Sequence, residues 1–126
     1  MGTEIGARPS VRRGAAARSQ EISRVFQALA DPTRRAVVER LARGPASTTE
    51  LARPFDMALP SFAQHLAMLE QCGMVRSHKE GRVRCFQLAP KPLVTAESWI
   101  AEQHAIWNQR LDRMQDYVEG MKTAKR

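Results

Sequence analysis

STTELARPFDMALPSFAQHLAMLEQC, residues 47–72, is the stretch that decides the fold. Ser47 and Glu50 stand at the spacing of a capping box. In that motif the hydroxyl accepts from the N–H three residues on, and the carboxylate there reaches back. The helix it starts, ELARPF, is short, because Pro54 cannot sit deep in a helix. Leu51, Ala52 and Phe55 face inward. After Asp56-Met57-Ala58-Leu59 comes Pro60, so a second helix starts near Ala58–Pro60 and runs to 72. Phe62, Leu66 and Leu69 recur at i, i+4 and i+7, with Ala63 beside them. Pro60, Ser61, Gln64, Ala67 and Met68 fall on the opposite face, with His65 on the flank. Gly73 sits where a left-handed C-cap is needed.

Upstream, Ile22, Val25, Phe26 and Leu29 mark one face of a first helix, with Ser19 as its cap. Asp31-Pro32 starts another, since Asp accepts from free N–H groups and Pro has none to waste. Val37, Val38 and Leu41 point inward, and Gly44-Pro45 ends it. Arg34 and Arg35 are expected to pair with Asp31 or Glu39. Downstream, VRSHK and RVRCFQL flank Glu80-Gly81, a β-hairpin whose turn contains Gly. A long helix then runs from about 92 to 120, on the order of 40 Å. Along it Ile100, Trp107, Leu111, Met114, Val118 and Met121 follow the 3–4 alternation of a helix–helix seam. His104 fills the one gap in that series.

The 126 residues bound the alternatives. One domain is expected at this length. Hydrophobic residues make up 43% and charged residues 26%, ordinary for a soluble globular chain. No apolar run suits a membrane span or a secretory signal. Two cysteines build neither a disulfide scaffold nor a zinc cluster, so a reduced, cytoplasmic setting is expected. The net charge of +7 is unevenly spread. Residues 1–20 carry +3 and residues 122–126 another +3, leaving +1 for 21–121. Within that body, 74–84 holds +3 and 85–120 holds −2. Expected units are therefore a disordered basic tail 1–19, a folded domain 20–90, a pairing helix 91–121 and a basic tail 122–126. No Ser/His/Asp set, paired carboxylates or Gly-rich phosphate loop stands out, so no enzyme is expected.

Helix, helix, short helix, turn, second helix and hairpin make a mainly α chain with a small β-hairpin wing, a winged helix-turn-helix. DPTRRAVVERLARGP (31–45), ELARPFDMALPSFAQHLAMLEQCGMV (50–75) and EGRVRCFQL (80–88) together resemble the ArsR family of small dimeric bacterial repressors. The likeness covers about residues 21–120. It implies a homodimeric repressor of the bacterial nucleoid that binds double-stranded DNA at a near-palindromic operator, with the second helix of the motif in the major groove. The residue chemistry agrees. Short polar groups near a helix start can reach base edges, and Ser61 and Gln64 suit this, with Pro60 beside them in the expected DNA-binding face. His65 either contacts DNA or satisfies a nearby carbonyl. Thr48 and Thr49 offer hydroxyls and N–H groups to a phosphate. Lys79, Arg82 and Arg84 form a basic wing. Ile100, His104, Trp107, Leu111, Met114 and Val118 are the expected dimer interface.

The sequence departs from the family pattern at Ala58, where members often carry a capping Ser, and at Ala67, where Lys or Arg is common. No metal site is expected. ELARPFDM lacks the thiolates of the family's sensors, and His104 has no second His beside it on the last helix. Cys72 and Cys85 are expected to be buried and inert. No cofactor is called for, and the residues name no effector. The alternatives are a winged-helix protein-interaction module, because fold does not fix function, and a metal- or redox-sensing repressor.

Overall fold

The computed structural model describes residues 3–124, and side chains over residues 12–124. Helix α1 spans Thr3–Leu29, α2 Pro32–Leu41 and α3 Thr48–Ala52, preceded by a two-residue strand β1, Ala46–Ser47. Then come α4 Leu59–Gln71, strands β2 Val75–Glu80 and β3 Val83–Leu88, and α5 Pro90–Ala124. The chain divides after Ala96 into two compact units, each described by itself.

α1 starts well before Ser19, so residues 3–19 are helical where a disordered tail was expected. The cause is cooperativity. Ile22, Val25 and Ala28 are buried and nucleate the helix. Propagation is favoured through the Ala- and Arg-rich residues 12–18, whereas Gly6 and Pro9 oppose it further out. Residues 12–17 remain exposed on that extension. At the other end Lys122 is helical too. Met1, Gly2, Lys125 and Arg126 of the two expected tails lie outside the described residues.

Local chemistry sets the other boundaries. The Asp31 carboxylate accepts from the Arg34 N–H at 3.0 Å and caps α2. Ser47 and Glu50 complete the capping box, each side chain accepting from the other's N–H at 3.2 Å. α4 closes on Gly73, whose φ of +75° is left-handed. The Met74 N–H reaches Leu69 O and the Gly73 N–H reaches Glu70 O, the paired bonds of a Schellman cap. Gly81, φ +65°, turns the hairpin.

The sheet has three antiparallel strands in the order β1-β3-β2. β1 pairs Ala46 with Phe86 and Ser47 with Cys85, so the wing is tied to the start of α3. The hairpin pairs Val75 with Leu88, His78 with Cys85 and Glu80 with Val83. Ala89 N–H bonds Met74 O at 2.8 Å and closes its base. Phe62, Leu69, Met74, Val25, Val37 and Val75 are the largest fully buried side chains. The Phe55 ring packs on Phe62 with centroids 5.3 Å apart. Two inward assignments differ: Ala63 is exposed, and Phe26 is 41% exposed.

Candidate nucleic-acid interface

The apolar face of α4 is consumed by the core through Phe62, Leu66 and Leu69. Its other face is therefore presented outward by the packing itself. Pro60, Ser61, Gln64 and Ala67 are all exposed there, and Met68 is half-buried. Leu59 joins them at 63% exposure, and Ala63 stands one position before Gln64. Sequence periodicity alone assigned no outward role to Leu59 or Ala63. The face from 59 to 67 carries no charge except that available to His65. α4 also opens without a side-chain cap, because Ala58, in extended conformation, has no acceptor to offer.

His65 is turned from that face toward the corner between α1 and α2. Its Nδ1 lies 3.6 Å from Asp31 Oδ2 and 3.4 Å from an Arg34 guanidinium nitrogen. Asp31's carboxyl is held below its usual value, first by the Arg34 N–H bond and then by the nearby His65 and Arg34 charges. Arg34 does not pair with a carboxylate as its main contact. Its Nε and Nη2 donate to the Ala28 and Gln27 carbonyls at 2.9 and 3.0 Å. Arg35 donates to Leu29 O at 2.7 Å. The expected ion pairs are thus replaced by a cap on the last turn of α1. That turn has orphan carbonyls and no cation of its own.

At the start of α3, Thr48 is half-buried and Thr49 exposed. The Ser47 and Glu50 N–H groups are already taken by the capping box. The bond from the Ser47 N–H, with the Ser47 hydroxyl beside it, draws the Glu50 carboxyl below its usual range. The wing displays Lys79, Arg82 and Arg84, all exposed. Lys79 and Arg84 are directly opposed across the hairpin. Arg84 is not free, however. It donates to Ser77 Oγ at 2.9 Å, and Ser77 donates to the Glu70 carboxylate on α4 at 3.1 Å. The wing is thereby braced against the end of α4. Cys72 is buried as expected, whereas Cys85 is only half-buried.

From Glu97 to Ala124 every described residue of α5 is exposed. The expected seam lies bare on it: Ile100, His104, Trp107, Leu111, Met114 and Val118, together with Met121. No described helix is long and apolar enough to cross a membrane.

A helix presenting an uncharged polar face, preceded by a short helix and braced by a basic β-wing, defines the winged helix-turn-helix class. Comparison agrees. A helix-turn-helix domain family matches residues 29–78. An HTH-type transcriptional regulator of Mycobacterium tuberculosis is 47% identical over 70 residues, which are 56% of this chain and 65% of that regulator's length. The crystal structure of an ArsR family transcriptional regulator is 53% identical, with a TM-score of 0.69. It covers 71% of this chain, and 93% of its own length is matched. An ArsR-like transcriptional regulator from Rhodococcus is 30% identical with a TM-score of 0.67, over 78% of this chain and 92% of its own. The chain belongs to the ArsR family of transcriptional regulators.

Proposed function

We propose that the chain is a homodimeric repressor that binds double-stranded DNA at a near-palindromic operator, in the bacterial cytoplasm. The observation that carries this reading is the outward face of α4. Ser61 and Gln64 stand exposed near its start, with no charge to hold a phosphate and hydrogen-bonding groups suited to base edges. Gln64 pairs bidentately with adenine, and Leu59 and Ala63 meet thymine methyls. Pro60, Thr48 and Thr49 lie against the backbone. Arg82 and Lys79 hold neighbouring phosphates, and Arg84 positions the wing through Ser77. His65 acts by fixing α4 to the α1–α2 corner.

The bare seam of α5 supports pairing with a second copy, since large contiguous apolar surface rarely stays solvated. A two-fold then sets two α4 helices about one DNA turn apart. The relatives' names also favour this reading. One is a transcriptional repressor of Bacillus subtilis, 29% identical over 63% of this chain and 88% of its own length.

The test is duplex binding by fluorescence anisotropy at several salt concentrations. The reading expects affinity to fall steeply with salt and a preferred duplex to outcompete scrambled DNA. Weak binding with no preference at any salt would instead favour a protein-interaction module.

A further inference from the structure

The outer face of the wing gathers three metal-ligating side chains that the DNA reading does not use. His78 and Glu80 are two apart on β2 and so share a face of the hairpin. Cys85 of β3 is paired directly opposite His78 in the register. The backbone pairing therefore brings the three side chains together. His78 Nε2 is 3.1 Å from Glu80 Oε1, and the His78, Glu80 and Cys85 ligand atoms all lie within 4.8 Å of one another. Ligands of a tetrahedral zinc ion at about 2.0–2.3 Å are separated from each other by roughly 3.3–3.8 Å. Small side-chain rotations close that gap.

We infer that His78, Glu80 and Cys85 form a binding site for a zinc-class divalent cation on the wing. An imidazole, a thiolate and a carboxylate suit zinc or cobalt, whereas magnesium and calcium prefer all-oxygen sets. Three protein ligands leave the fourth position to water. The site shares no residue with α3 or α5. It was illegible in the sequence because the ligands are spaced 2 and 5 apart, and only the strand register joins them.

Binding changes the charge of the wing. The Cys85 thiol gives up its proton to become a ligand, so the ion's two charges add a net +1. Glu80, the one carboxylate between residues 74 and 89, is at the same time drawn into the site. Its effect on DNA rests on the reading of the wing given above. Ion binding itself does not.

The test is titration of the reduced, DNA-free full chain with cobalt(II), followed by zinc competition against a chromophoric chelator. One cobalt per chain and a thiolate-to-cobalt charge-transfer band are expected. The band should vanish in Cys85→Ser and persist in Cys72→Ala. Losing even an outer-shell partner of a metal ligand costs about 10–100-fold, so His78→Gln and Glu80→Gln should each weaken zinc binding by roughly tenfold or more. A band that survives Cys85→Ser, or zinc affinity indifferent to all three substitutions, overturns the site. With duplex present, saturating zinc should steepen the salt dependence by about one unit in wild type and not in Cys85→Ser. An unchanged slope, with the cobalt result intact, overturns the coupling to DNA.

Discussion

Arg34 joins three parts of the domain: the end of α1, the cap of α2 and the flank of α4. The two guanidinium bonds to the Ala28 and Gln27 carbonyls are charged and contribute more than neutral ones, whereas the cap on Asp31 is made by the Arg34 backbone N–H. Arg34→Ala should cost about 2 kcal/mol in chemical unfolding, and Arg34→Lys should recover only part, since an ammonium lacks the planar fork. Sequence suggested an ion pair for Arg34 but could not show that the turn at Ala30–Asp31 folds it back onto α1. Asp31 adds a pH dependence. Folding lowers its pKa from 3.8, so its stabilisation is full above that value and is lost as pH falls through the folded one. Asp31→Ala should cost about 1 kcal/mol near neutrality, and the difference from wild type should shrink below about pH 4, read by denaturant midpoints. At the proposed interface, two residues separate readout from attraction. Gln64→Ala should lose about 1–3 kcal/mol on the preferred duplex and little on scrambled DNA. Arg82→Ala should weaken both alike and lower the salt slope by about one. Full preference retained by Gln64→Ala would show that α4 does not read the bases.

α4 is the element most legible from sequence and the one with a correctable flaw. Its stripe of Phe62, Leu66 and Leu69, its start near Ala58–Pro60 and its Gly73 cap all follow from spacing and backbone chemistry, and each is observed. Its N-cap is empty. Ala58 has φ −62° and ψ 140°, a conformation in which serine would cap without strain. Ala58→Ser should therefore stabilise the domain by about 1 kcal/mol, and no change in unfolding midpoint would show that the exposed N–H groups are already satisfied by water. β1 was not legible, because two residues are too few to show alternation. Its pairing exists only once Phe86 and Cys85 are in place. The extension of α1 was missed for the opposite reason. Composition marked residues 1–19 as a solvated basic tail, and it did not show that the Ala- and Arg-rich residues 12–18 would extend the helix packed at Ile22–Ala28.

At the scale of the molecule, the positive charge is concentrated in the α1 extension, the wing and the last few residues, whereas residues 85–120 are net acidic. The α1 extension and the wing put attraction for phosphate on the unit that carries α4, while residues 122–126 add +3 to the unit that carries most of α5. The proposed homodimerisation rests on a 3–4 repeat in α5, and the residues of that repeat are exposed in the single chain. In the proposed function two copies read two half-sites with α4. Selecting bound sequences from a pool of random duplexes with the full chain tests this. The prediction is an inverted repeat whose half-site centres lie about 10–10.5 base pairs apart or a multiple of that. Enrichment of a single unrepeated motif, or of no motif at all, would contradict it.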